Sequence, residues 1–290
     1  MQFAAVEMAR RGWDKGRVGL AKDCQTFTQR SREALIASLP NAHAAPSDLL
    51  VNWLRLVKSP AELALMRAAA RITERIMATF FAMTAPGVRE CDVAAELQKV
   101  ATEGHGGVAG DYPASIPFIA AGPFVATTHL TWAERRFEAG ETASVQASGV
   151  RRRYHAPLAR TMHLGPPPAA LKELEAVVLE GARIAMEAAR PGRPCESVEA
   201  AWRAHLAKHG LRKEARIGYP VGIGYPPDWG ERTASFRPGD TTELQENMTF
   251  HLFLGMWLED RSFSVSETIR VAPSGGEPLC DVPRALFAKT

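Results

Sequence analysis

Two Pro-Gly pairs, Pro86-Gly87 and Pro191-Gly192, stand 105 residues apart, and each is placed to join a long helix to a shorter one. Proline cannot continue a helix, and glycine takes the left-handed backbone that ends one, so each pair marks a tight helix–helix connection. Val93 and Val198 keep the same offset, as do Ala95 and Ala200. The first long helix starts at Ser59-Pro60-Ala61-Glu62. Ser59 is the N-cap, Pro60 takes the first helical position and Glu62 stands three residues after the cap. Leu63, Met66, Ile72, Ile76 and Phe80 then recur at helical spacings and form one apolar stripe to about Met83. A shorter helix over 90–103 follows. The second long helix covers about 169–189, after Gly165-Pro166-Pro167-Pro168, and its shorter partner lies near 196–208. Strand-like text occupies Ile116–Ala120, Thr142–Ala147 and Ala159–Leu164, with short strands and turns from Gly218 onward. A helix pair surrounded by strands, given twice, predicts an α+β domain with a pseudo-two-fold axis. A site between the two halves is the natural expectation.

The first fifty residues read differently. Arg17–Ala21 suits a short strand, and Thr28–Leu39 suits a helix ended by Pro40-Asn41. So short a stretch cannot bury a core of its own and is expected to dock on something else. We place the boundary so that residues 1–52 form one piece and residues 53–290 the other. The formal net charge of +3 comes from 35 basic and 32 acidic residues, too balanced to suggest a nucleic-acid partner. Arg151-Arg152-Arg153 is the one dense basic cluster, short enough for a solvated turn. Cys24, Cys91, Cys195 and Cys280 are scattered without metal or disulfide spacing, which predicts reduced thiols in a cytoplasmic protein. No apolar stretch is long enough for a membrane span, and no signal-peptide pattern opens the chain.

Several short motifs then carry a resemblance. Val57-Lys58-Ser59-Pro60-Ala61-Glu62, Thr128-His129-Leu130-Thr131-Trp132, Leu158-Ala159-Arg160-Thr161, Asn247-Met248-Thr249-Phe250-His251 and Ser266-Glu267-Thr268 resemble, in this order, the pita-bread superfamily of creatinase, methionine aminopeptidase and the proline-specific peptidases. The resemblance covers about residues 50–280 and implies the pita-bread fold. Residues 1–52 are similar to the end of that superfamily's N-terminal domain, a remnant whose remainder has no counterpart in this sequence. A homodimer is also implied. Metallopeptidases of the superfamily hold two metals with Asp, Asp, His, Glu and Glu. Those positions fall on Gln146, Pro157, Tyr219, Phe253 and Glu267. Hard divalent cations need several converging carboxylates or imidazoles, and only Glu267 qualifies. The expectation is no catalytic metal and no cofactor.

Within the superfamily the local text looks most like the ectoine hydrolases, metal-free relatives that attack the amidinium carbon of a small cyclic zwitterion. The carrying stretches are His129–Trp132, Arg153–Thr161, Tyr225–Glu231 and Asn247–His251. Creatinase is less similar, since Ala159 stands where it has an acid. The resemblance thus implies a metal-independent hydrolase of a cyclic amidine such as ectoine or hydroxyectoine, with a small zwitterion as its partner. Two other readings stay open. One is an Xaa-Pro-type metallopeptidase with altered ligands. The other is a non-catalytic pita-bread binding protein.

The candidate residues carry alternatives of their own. His129 matches the superfamily's proton-transferring histidine, a side-chain type suited to proton exchange, or it is a buried histidine at a strand end. Glu267 faces the amidinium, or it is a strand carboxylate paired with Arg270 or Arg160. His251 is a third catalytic candidate, in an apolar run where histidines are usually satisfied core residues. Tyr219, Tyr225, Trp229 and Trp132 can wall a cationic ring or simply pack in the core. Glu231 sits on a site loop or in solvent, and Arg160 binds a substrate carboxylate or ties two strands together. Gln146 stands where ectoine hydrolases tend to have Glu. It keeps the shape and hydrogen bonds of that acid but cannot act as a base.

Overall fold

The Ser59 hydroxyl accepts a hydrogen bond from the Glu62 N–H at 3.4 Å, and the Glu62 carboxylate accepts one from the Ser59 N–H at 2.7 Å. This closed capping box starts the longest helix where the residue pattern places it. The computed structural model describes residues 1–22, 24 and 26–289. The elements follow in chain order. They begin with α1 (Gln2–Arg10), β1 (Gly16–Leu20), α2 (Gln29–Ala37), β2 (Ala42–Pro46) and α3 (Leu50–Leu54). Next come α4 (Pro60–Met83), α5 (Glu90–Glu103), β3 (Phe118–Ala121), β4 (Thr142–Arg151), β5 (Tyr154–Leu164), α6 (Ala169–Ala188) and α7 (Cys195–Lys208). The chain ends with β6 (Gly218–Tyr225), β7 (Asp228–Gly230), β8 (Thr249–Trp257), β9 (Ser262–Ala272), β10 (Gly275–Pro278) and β11 (Phe287–Lys289). Among the described residues, no helix is long and apolar enough to cross a membrane.

The chain divides into two compact units, Met1–Leu54 and Arg55–Thr290. In the first, β1 and β2 pair in parallel, from Gly16 opposite Ala42 to Leu20 opposite Pro46. Its core is small: Ala5, Leu20, Leu35 and Leu39. Thr28 caps α2 by accepting from the Ser31 N–H at 3.2 Å.

The second unit is the α+β pita-bread fold. Its main sheet runs β10-β9-β8-β6-β5-β4-β3, with β7 on β6 and β11 on β5. Each half has its own apolar core. One lies around α4, α5 and β3–β5, the other around α6, α7, β8 and β9. The two Pro-Gly links do what the repeat predicts, with Gly87 at φ 87° and Gly192 at φ 79°.

The α4 stripe packs as expected at Met66, Ile72, Ile76 and Phe80, which are buried; Leu63, in the first turn, stays half-buried. The helix lies directly on β4 because Gly149 has no side chain. A Cβ there would sit 2.4 Å from the Ala69 carbonyl oxygen and 2.6 Å from Ile72 Cβ. Thr73 fastens the contact. Its hydroxyl accepts from the Gly149 N–H at 2.8 Å and donates to the Ala156 carbonyl at 2.7 Å.

The strands β4 and β5 are longer than the pattern suggested. All eleven residues of β5 are buried, so it shows no alternation of apolar and polar positions, the signal by which a strand is read. The arginine triplet is the hairpin between them. Arg152 and Arg153 take φ 49° and 67°, as a mirror-image two-residue turn requires.

Among the described residues, the two strand groups share one ladder pair, Tyr154 with Ile223. Side chains close the rest of the seam. The Thr161 hydroxyl donates to the Ser264 carbonyl at 2.9 Å and accepts from the Ser264 N–H at 3.0 Å. The Thr268 hydroxyl donates to the Pro157 carbonyl at 2.7 Å.

Gly149→Ala is expected to lower stability by about 1–3 kcal/mol through overpacking between α4 and β4, read as a reduced urea midpoint.

Candidate active site

Within the second unit, a cavity of about 510 Å³ opens beside β4, β6 and β8. Its walls are aromatic: Phe118, Tyr219, Trp229, Phe253 and Trp257. His129, Gln146, Thr128 and Ser115 add uncharged or titratable polar groups, and Lys213, Arg216 and Asp228 add charges.

His129 reaches the cavity from the loop after β3. That loop folds back so that the Ile119 N–H donates to the Leu130 carbonyl at 3.0 Å. The residue is exposed and its φ is 60°, a left-handed backbone uncommon for a non-glycine residue and concentrated at functional sites. Its ring centroid lies 5.0 Å from that of Phe118. It is therefore not the buried strand-end histidine of the alternative expectation.

Behind the wall runs a buried hydrogen-bonded chain. Trp229 Nε1–H donates to Tyr219 Oη at 2.8 Å. Tyr219 Oη lies 2.9 Å from His251 Nδ1, and His251 Nε2 lies 2.7 Å from Ser266 Oγ. One assignment uses each proton once: Tyr219 donates to Nδ1, and Nε2–H donates to Ser266. Burial, reinforced by the charges of His129 and Arg216, pushes the His251 pKa down to about 3, so its imidazole is neutral. Burial pushes the Tyr219 phenol up to about 12. His251 thus acts as a fixed neutral prop that orients the Tyr219 hydroxyl.

Four of the expected site residues converge here: His129, Gln146, Tyr219 and Trp229, with His251 directly behind. Five others lie elsewhere. Arg160 has five N–H donors, and all are taken. They go to Pro283 O (2.9 Å), Ala159 O (2.9 Å), Ser266 O (2.7 Å), Val282 O (2.7 Å) and Glu267 Oε1 (2.6 Å). No donor is left for a substrate carboxylate; Arg160 ties strands. Glu267 is buried, bonded to Arg160 and 3.6 Å from Arg284, and it does not line the cavity. Burial pushes its carboxyl above the ordinary range, against the pull of the two arginines. Glu231 is not on a solvated loop. It is buried, accepts from Arg55 Nε at 2.7 Å and neighbours Lys58, whose pKa burial pushes down to about 8. Tyr225 is exposed and stacks under the Arg153 guanidinium at 4.6 Å, and Trp132 packs against the first core.

Lys213 and Arg216 were not legible as site residues. Their signal is one charged stretch, Arg212-Lys213-Glu214-Ala215-Arg216, which by composition looks like any solvated loop. Although Lys213 is partly exposed, its ammonium lies 4.9 Å from the Trp257 ring centroid and donates to the Phe253 carbonyl at 3.2 Å. Burial pushes its pKa down to about 7.

The donor set does not fit a pair of divalent cations. Gln146, Tyr219 and Phe253 form the wall where ligands would stand, and Glu267 is held by arginines. Among the described residues, no three His, Cys, Asp or Glu side chains are grouped to hold an ion.

Comparison with known proteins gives consistent results. The sequence matches the model of metallopeptidase family M24 over residues 64–273. It is 41% identical to the ectoine hydrolase of Halomonas elongata over 285 residues, covering 96% of this chain and 71% of that protein. It is 40% identical over 291 residues to an uncharacterized hydrolase/peptidase, y4tM, of Sinorhizobium fredii, covering 99% and 74%. Among solved structures, the X-Pro aminopeptidase from Thermotoga maritima superposes with a TM-score of 0.85 at 19% identity, covering 99% of this chain and 79% of that one. The Xaa-Pro dipeptidase from Bacillus anthracis gives 0.85 at 23% identity, covering 99% and 78%. At these identities the two structures share the fold.

Two expectations follow for stability. Arg160→Met leaves a buried carboxylate without its main partner and should cost about 3–5 kcal/mol, whereas Glu267→Gln, which removes the charge but keeps an acceptor, should cost less. Denaturation midpoints of the two variants test this ranking. His251, with a folded pKa of about 3 against an ordinary 6.5, binds fewer protons folded than unfolded between those values. Its contribution is complete above pH ~6.5 and is lost as pH falls towards ~3, so His251→Gln should flatten the acid side of a stability–pH curve.

Proposed function

The chain belongs to metallopeptidase family M24, and from that premise we propose that it is a metal-independent hydrolase that opens a small cyclic amidine of the ectoine type at a C–N bond. The observation that carries this reading is the cavity wall itself: Gln146, Tyr219 and Phe253, which the resemblance sets at three metal-ligand positions, face one cavity with an imidazole, His129. Such a wall suits a delocalised organic cation better than a metal ion. The π faces of Tyr219 and Trp229 attract the cation, and the Gln146 carbonyl can accept from its N–H. The close relationship to the Halomonas elongata ectoine hydrolase supports the same class of substrate.

The chemistry moves both protons of the attacking water. Water adds to the amidinium carbon while His129 takes one proton. His129 returns it to the leaving ring nitrogen, the C–N bond breaks as the adduct's hydroxyl becomes the amide carbonyl, and the hydroxyl proton passes to the released amine, which leaves as an ammonium. The product is an N-acylated diamine. Gln146 holds but does not titrate, which leaves the proton transfer to His129. Glu267, bonded to Arg160 through one oxygen and outside the cavity lining, is given no proton-transfer role in this reading.

Purified protein incubated with ectoine and a chelator, followed by proton NMR, is expected to yield acetylated diaminobutyrate. His129→Gln should reduce kcat by roughly 10²–10⁴-fold. Absence of product at high enzyme concentration, or activity that appears only on Xaa-Pro dipeptides after adding manganese or cobalt, overturns the reading. Tight ectoine binding without turnover assigns a binding protein instead.

A further inference from the structure

With Arg160 fully engaged, the cationic groups left at the cavity are Lys213 and Arg216, side by side on the segment between α7 and β6. Both lie against its aromatic wall. The Arg216 guanidinium lies 4.5 Å from the Tyr219 ring centroid, and the Lys213 ammonium lies 4.9 Å from that of Trp257. Among the described residues, no ion pair joins either to a carboxylate. Asp228 shares the cavity but is held elsewhere: it accepts from the Gly230 N–H at 2.9 Å and pairs with Arg232 at 3.4 Å. Arg216 is exposed to the cavity mouth, whereas the Lys213 ammonium is partly desolvated and has one carbonyl and two ring faces for company but no counter-charge. An anion bound between them would supply one.

We infer that Lys213 and Arg216 form the anion-recognising end of the cavity and bind the carboxylate of a zwitterionic substrate, whose cationic ring lies against Tyr219 and Trp229. The inference rests on the proposed function for the identity of the ring, and on the two unpaired cations for the carboxylate. It makes the pair determinants of specificity. A guanidinium stacked on an aromatic face keeps its N–H edge free for bidentate contact with a carboxylate. The lysine adds a second charge from the neighbouring wall. An amidine lacking the carboxylate would lose both contacts.

The test compares wild type, Arg216→Ala, Arg216→Lys and Lys213→Ala with ectoine and with its carboxamide, by calorimetry for binding and NMR for turnover. Arg216→Ala is expected to raise Kd and KM for ectoine roughly ten- to hundred-fold, with the smaller change in kcat. Lys213→Ala should act in the same direction, and Arg216→Lys should recover part of the loss. The carboxamide should bind weakly to wild type and be little affected by the substitutions. Ectoine binding unchanged in the variants, or equal losses for ectoine and carboxamide, overturns the inference. If wild type does not process ectoine, the proposed function fails on its own. The pair is then tested with pyrrolidine-2-carboxylate against its amide. A preference for the carboxylate that disappears in Arg216→Ala upholds the inference, and no preference in wild type overturns it.

Discussion

Between β5 and β9, the chain relies on one buried guanidinium. Among the described residues, the strand groups β3–β5 and β6–β10 share a single ladder pair, so backbone hydrogen bonding joins them at one end only. Two of the five Arg160 hydrogen bonds cross that seam, to the Ser266 carbonyl and the Glu267 carboxylate, and Thr161 and Thr268 add side-chain bonds to facing carbonyls. A charge with no exposure is tolerable only when every donor is satisfied and a carboxylate stands next to it. Glu267 is that carboxylate. The cavity opens beside β4, β6 and β8, strands from both sides of this seam, so its shape depends on the pairing.

Glu267 gives one oxygen to Arg160 and stands outside the cavity lining. The wall is built instead from neutral groups that fix one another. Trp229 bonds to Tyr219, Tyr219 to His251, and His251 to Ser266, all buried or nearly so. Neutral groups in a chain of this kind are rigid without carrying charge, which leaves the charge contrast of the cavity to His129, Asp228, Lys213 and Arg216.

Much of the fold was legible in the residues because it is written in local chemistry. The capping box at Ser59, the cap at Thr28 and the two Pro-Gly links act within a few residues of themselves, and each appears where the pattern puts it. The strand β5 was only partly legible, because a strand buried on both faces loses its alternation. The site divided along the same line. His129, Gln146, Tyr219 and Trp229 came together with His251 behind them, whereas Arg160, Glu231, Tyr225 and Trp132 found protein partners elsewhere that no spacing reveals. Lys213 and Arg216 looked like an ordinary charged loop, since a solvated face and a site wall use the same residues.

From its residues alone, this chain determines where its long helices begin and end and that its second unit repeats a helix-pair-and-strands pattern. These depend on backbone stereochemistry and on local side-chain chemistry. Tertiary structure alone decided which charged groups were consumed. Desolvation and pairing depend on what lies across a gap of a few ångströms, and that gap separates residues such as Arg160 and Glu267, which stand 107 positions apart in the chain.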